Sequence, residues 1–148
     1  MNSLSEYTLV GAGVDLKPEI ISLLVENHLP VSDLDEYKTL FACLNHGEVV
    51  GTGGLELFSE CGLLRSISVR KDSQNKGAGK FIVGELEKIA GQKGINCLYL
   101  LTTTAKDFFM KEGYETIDRN QVHVEIKKTT EFSSVCPSTA TVMRKSLL

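Results

Sequence analysis

Apolar residues along this chain alternate between short continuous runs, which suit strands, and three-to-four-residue spacings, which suit helices. Tyr7 to Val10 reads as a first strand, broken by Gly11 and Gly13. Asp15 then caps a helix with Pro18 in its first turn and Ile20, Ile21, Leu23, Leu24 and Leu29 on its buried face. His28 to Asp35 is a loop around Pro30, with a short second helix within it as the alternative. Leu40 to Leu44 and Val49 to Leu57 are two strands flanking Asn45-His46-Gly47-Glu48, a hairpin turn signal. Gly51, Gly53 and Gly54 thin the second of these, marking either a bulge or a close approach to the backbone.

A turn over residues 59–62 leads into a strand from Leu63 to Val69. Beyond a polar corner, a helix runs from about Gly79 to Gln92, with Ile82, Leu86, Ile89 and Ala90 inward and Gly94 as its stop. Cys97 to Leu101 is continuously apolar, as in a strand buried on both faces. Thr104 with Asp107 three residues on reads as a capping box for a short helix that buries Ala105, Phe108 and Phe109 and ends at Gly113. Val122 to Ile126 and Ala140 to Met143 read as two last strands around the loop 133–139. Hairpin strands first, then strands alternating with helices, predict a mixed α/β sheet.

The 148 residues carry no internal repeat or linker and are expected to form one domain spanning 1–148. A net charge of −3 gives no electrostatic case for nucleic acid or an anionic membrane. No apolar run approaches the roughly 20 residues that span a bilayer. The N-terminus lacks a basic stretch followed by an apolar one, so a cytoplasmic location is expected. Cys43 and Cys97 sit in apolar runs as small hydrophobes, Cys61 in a turn, and Cys136 before Pro137 in a late loop. With no Cys-x-x-Cys or His-Glu-x-x-His spacing, neither a metal site nor a disulfide is expected.

The corner Gln74-Asn75-Lys76-Gly77-Ala78-Gly79-Lys80 holds the most chemistry. A glycine turn that opens directly onto a helix leaves unpaired N–H groups at the positive end of the helix dipole, where phosphate binds. It is not a P-loop, because Gln74 and Phe81 stand where a Gly and a Ser or Thr are required. Nor is it a dinucleotide fingerprint, since Ile82 occupies a required glycine position; Gly11-Ala12-Gly13 fails likewise at Leu16.

Gln-x-x-Gly-x-Gly after a strand resembles the acyl-CoA signature of the GNAT N-acetyltransferase superfamily. Ala105-Lys-Asp-Phe-Phe-Met-Lys-Glu-Gly-Tyr114 resembles that family's second signature. The motifs cover roughly residues 40 to 116. The resemblance implies a GNAT fold: a mixed sheet of about six to seven strands, helices on both faces, and a splayed, bulged central strand. It implies acetyl-CoA as the donor. The pantetheine arm would lie along Ile67, Ser68 and Val69, with the pyrophosphate on Gln74, Asn75, Lys76, Gly77, Ala78, Gly79 and Lys80. Thr102 stands where the family often has an Asn that meets the arm, and Phe109 where it often has a Tyr that protonates the leaving thiolate. A phenyl ring has no proton to give.

For the acceptor half, Glu56 is a candidate base, on the strand face opposite Leu55 and Leu57 where it either acts or simply faces solvent. Glu60 stands further back as another. Arg65, inside an apolar strand, either pairs with Glu56 or meets a substrate carboxylate. His123 is expected at a surface or core edge in its strand. Within the superfamily, LLRSISV, LYLLTTTAKDFF and EFSSVCPSTA resemble the small acetyltransferases of arsenic-resistance operons. That implies a small-molecule amine acceptor such as an amino-acid-like organoarsenical, with Cys136 one thiol that trivalent arsenic would meet. Pairing into a homodimer through late strands is implied by resemblance alone. Two other readings stay open: a non-catalytic acyl-CoA-binding regulatory module, and a protein or peptide N-acetyltransferase.

Overall fold

A computed structural model of the chain describes residues 7–11, 17–27, 39–129, 132 and 140–148. Seven strands form one sheet: β1 (Tyr7–Gly11), β2 (Thr39–Asn45), β3 (Glu48–Leu57), β4 (Cys61–Val69), β5 (Cys97–Thr102), β6 (Glu115–Ile117) and β7 (Thr141–Ser146). Among the described residues four α-helices accompany them: α1 (Lys17–Glu26), α2 (Ala78–Gln92), α3 (Lys106–Lys111) and α4 (Val124–Lys127). The strand order is β1-β2-β3-β4-β5-β7-β6, antiparallel throughout except for the β4–β5 pair. No helix among the described residues is long and apolar enough to cross a membrane.

Two faces of the sheet are covered by different helices. On one, Ile82, Val83, Leu86 and Ala90 of α2 pack on Val50, Leu55, Leu64, Leu98 and Leu100. Gly51 and Gly53 explain how close that helix comes. A β-carbon at Gly53 would lie 2.6 Å from Leu86 Cδ1, and one at Gly51 would lie 2.7 Å from Ile82 Cδ1. On the other face α1 buries Ile20 and Leu24 against Leu40 and Ala42, while Ile126 of α4 packs with Leu63, Tyr99 and Val142.

The central strand has the expected bulge. Thr52 pairs with Ser68 but Gly54 with Arg65, so β4 takes three steps where β3 takes two. Ser66 adopts φ 58°, a left-handed conformation rare for a residue with a β-carbon. Its carbonyl is satisfied by the Thr52 hydroxyl at 2.7 Å. The expected splay follows. β4 meets β5 only at Cys61↔Cys97, Gly62↔Leu98 and Leu63↔Tyr99. Past that point β4 continues along β3 and β5 along β7, leaving a wedge between them.

Several local expectations are corrected. Cys61 begins β4 rather than lying in a turn. Val122–Ile126 is not a strand; it enters α4, because Val122 and Ile126, four apart, are both buried while Val124 is exposed. Period-two spacing of three apolar residues fits strand and helix alike when only two of them are buried. His123 caps that helix, its Nδ1 accepting from the Glu125 amide at 3.1 Å. Thr104 and Asp107 form no capping box: Ala105 is the cap residue of α3, and the Thr102 hydroxyl takes the Ala105 N–H at 2.9 Å. β6, three residues long, has too little pattern to be read from sequence. The Asp15 cap, Leu29, the 28–35 loop, Cys136 and the 133–139 loop lie outside the described residues.

Candidate active site

The wedge between β4 and β5 opens into a cleft of about 400 Å³. Its walls are Ile67, Ser68 and Val69 of β4, Gln74, Asn75, Gly77, Gly79 and Lys80 of the corner, and Thr104, Ala105, Phe108 and Phe109 before and in α3. Of the residues proposed from sequence, Glu56, Arg65, Lys76, Ala78 and Thr102 do not line it. Lys76 instead gives its carbonyl to the Tyr7 hydroxyl at 3.0 Å, Ala78 is buried at the root of α2, and Thr102 is spent on the start of α3. Of the run Thr102-Thr103-Thr104, which at a strand end either faces the cleft or is plain strand-end polarity, Thr104 lines it, while Ala105 and Phe108 were expected only as the inner face of α3; Phe108 packs over Gly79, where a β-carbon would lie 3.2 Å from its ring.

The corner is built to present main-chain N–H groups. Asn75 (φ 64°) and Gly77 (φ 92°) take left-handed conformations, and nothing lies within 4 Å of where a Gly77 side chain would begin. Gly77 caps α2 with no side-chain hydrogen bond, and the first hydrogen bond of the helix is Phe81 N to Gly77 O at 3.0 Å. The amides of Ala78, Gly79 and Lys80 therefore have no acceptor within a helix of 15 residues. Gln74 holds the corner to the strand, its side-chain amide donating to Val69 O at 3.0 Å. An anionic group fits such a cradle, and the Ile67, Val69, Phe108 and Phe109 walls fit an apolar arm.

Asn27, at the end of α1, is a residue that sequence reasoning missed. Its side-chain amide donates to Ser68 Oγ at 2.5 Å, with Val69 O and Leu23 O each at 3.3 Å. It ties α1 to the splayed part of β4. No spacing rule links an Asn after a helix to a strand 41 residues later, so no sequence signal pointed to it.

On the face away from α2, Glu56 and Arg65 meet in the interior. Arg65 Nη1 donates to Glu56 Oε2 at 3.3 Å, and Arg65 Nε to Ser66 Oγ at 3.2 Å. Glu56 is 8 % exposed and Arg65 3 %, so the solvent-facing alternative for Glu56 is excluded. Phe109 is buried edge-on between Phe108 and Tyr114, with ring centroids at 5.0 and 5.8 Å. Tyr114 does not replace the missing phenol at the cleft. Its hydroxyl donates to Glu87 Oε2 at 3.0 Å, and burial, then Glu87, push its ionisation far above the ordinary range.

Residues 15–114 match the Acetyltransferase (GNAT) family, and the chain belongs to it. Among its relatives is an uncharacterized N-acetyltransferase of Chlorobaculum tepidum, 26% identical over 110 residues, covering 74% of this chain and 64% of the relative. Another is the amino-acid acetyltransferase of Mycobacterium tuberculosis, 30% identical over 94 residues, covering 63% of this chain and 51% of the relative. The chain thus spans less than two thirds of the length of either. Among solved structures, N-acetylglutamate synthase from Neisseria gonorrhoeae, complexed with coenzyme A and N-acetyl-glutamate, superposes with a TM-score of 0.80 at 17% identity. That match covers 96% of this chain and 35% of the other, and it extends to the fold alone.

Proposed function

We propose that this protein is an acetyl-CoA-dependent N-acetyltransferase acting in the cytoplasm on the amine of a small molecule, by direct transfer without a covalent enzyme intermediate. The observation that carries the proposal is the wedge beside the bulged β4, whose apolar walls run up to an N–H cradle at the start of α2. Acetyl-CoA supplies an activated acetyl thioester. The free amides of Ala78, Gly79 and Lys80, with Gly77 leaving room, would bind its pyrophosphate. Ile67 to Val69 would hold the arm along the exposed edge of the strand, against Phe108 and Phe109.

Glu56 is assigned as the proton acceptor, directly or through one water, since an aliphatic amine is mostly protonated at pH 7 and must lose a proton to attack. Arg65 steadies that carboxylate. With Phe109 in place of a phenol, no side chain takes the general-acid role in this scheme; a thiol is acidic enough to leave with a proton from water. The acceptor class is an amino-acid-like amine that carries a carboxylate, of which an organoarsenical is one case; the amino-acid acetyltransferase among its relatives supports that class. Arg65 is assigned as the partner of such a carboxylate, which it would meet only by leaving Glu56. Pairing of two chains through the late strands belongs to the same proposal.

The test is CoA release from acetyl-CoA by the purified chain across a panel of small amines, amino acids, amino-acid-like arsenicals and peptides. Turnover with amino-acid-like acceptors is expected. Tight CoA binding with no turnover on any acceptor would leave a non-catalytic binding module, and turnover on peptides alone would leave a protein acetyltransferase.

A further inference from the structure

A second group of reactive side chains lies apart from the cleft, where α4 crosses the root of β4. Cys61 Sγ, a His123 ring nitrogen and a Glu125 carboxylate oxygen all fall within 4.8 Å of one another. Cys61 opens β4 and is 3 % exposed, whereas His123 and Glu125 are half-buried at the first turn of α4. The two sides of the cluster are already tied together, because the Ser59 hydroxyl donates to Glu125 Oε1 at 3.2 Å. We propose that Cys61, His123 and Glu125 form a binding site for a divalent metal of the zinc class.

The donor set is the first argument. One thiolate, one imidazole and one carboxylate suit zinc and its borderline neighbours, whereas calcium and magnesium take oxygen only. Zinc bonds of about 2.0–2.3 Å put neighbouring donors of a tetrahedron about 3.5 Å apart, so a contraction of about 1 Å closes the site. Three protein ligands leave the fourth position to water or to another donor. Cys97, across from Cys61 in the β4–β5 register, shares the face.

Placement is the second argument: Cys61 is buried on β4 while His123 and Glu125 sit half-buried on a separate element, so the donors approach from two sides. Binding replaces the S–H bond of Cys61 with a metal–sulfur bond and releases that proton to solvent, while Glu125 enters as its carboxylate and His123 neutral. His123 Nδ1, now accepting from the Glu125 amide, would exchange that hydrogen bond for the metal without changing tautomer. The ligands are 62 and 64 residues apart in sequence, which no metal-motif spacing reveals. Loading would staple α4 to the root of the strand whose far half lines the cleft.

The full chain should be titrated with Co²⁺ as spectroscopic probe and with Zn²⁺ against a chromophoric chelator. The expected result is a thiolate-to-cobalt charge-transfer band saturating at one equivalent, with one proton released per metal and a Tm that rises with Zn²⁺. C61S should abolish the band, and H123Q and E125Q should each weaken Zn²⁺ at least tenfold. C43S and C136S should leave both unchanged. Circular dichroism checks that C61S is folded; if it is not, H123Q and E125Q decide. Absence of a band at one equivalent, its survival in C61S, its loss in C136S, or wild-type affinity in both H123Q and E125Q would overturn the site. None of these outcomes bears on acetyl transfer.

Discussion

The two regions assigned to donor and acceptor are made from different materials. At the corner between β4 and α2 the working groups are main-chain amides, exposed by left-handed residues and by small side chains within seven consecutive positions. On the opposite sheet face they are side chains, Glu56 and Arg65, which belong to different strands and are buried as charges. Main-chain groups bind by position and tolerate exchange of the residues that carry them. A buried carboxylate has no substitute, and an unpaired buried charge is costly. The donor corner should therefore fail gradually under mutation, and the acceptor face abruptly.

Glu56→Gln probes the abrupt side. The amide keeps the size and an oxygen to accept from Arg65 Nη1, so the fold is expected to survive while the proton acceptor is lost. Removing a positioned base lowers kcat by about 10²–10⁴-fold. Steady-state kinetics beside CoA calorimetry should show that fall with CoA affinity held within about twofold. If E56Q turns over like the wild type, the proton acceptor lies elsewhere and the acceptor face loses its chemical role.

Gly77→Ala probes the gradual side. At φ 92° a β-carbon is strained by about 1–2 kcal/mol, although nothing within 4 Å blocks it. Relaxing that strain turns the corner amides, so CoA affinity should drop by about 5–30-fold, while kcat at saturating acetyl-CoA stays within about threefold. Calorimetry and a saturation curve separate the two. A collapse of kcat in G77A would mean the corner also orients the reacting groups, and the contrast between the halves would shrink.

The same difference in material decides what could be read from sequence. The corner was legible because its physics is local: Gly77, Ala78 and Gly79 are adjacent, and a helix start leaves its amides free wherever it occurs. The bulge in β4 was expected from family resemblance, but its holder, the Thr52 hydroxyl on Ser66 O, depends on a strand register that no single segment encodes. The glycines of β3 were legible as an anomaly, and the structure chose close helix approach at Gly51 and Gly53 while putting the bulge across from them on β4. Glu56 was legible only as an oddity in an apolar strand. Its burial comes from what packs over that face. The strand assigned to Val122–Ile126 failed because two buried residues four apart satisfy a helical turn as well as an alternating strand.

Asn27 joins the two halves, and the smallest effect is the sharpest test of where the boundary lies. It sits at the end of α1, on the acceptor side of the sheet, yet its amide protons go to Ser68 Oγ and Val69 O on the strand that lines the cleft. Asn27→Ala removes those donors from a partly buried site and should cost about 1 kcal/mol of stability in urea denaturation. The loosened strand edge should raise the KM for acetyl-CoA a few-fold and leave kcat and the acceptor KM nearly unchanged. Asn27→Asp keeps the shape but sets a carboxylate against the Val69 carbonyl, so it should be the worse variant on both measures. If N27A instead raises the acceptor KM alone, Asn27 works for the acceptor face, and the splayed strand is held by its bulge without help from α1.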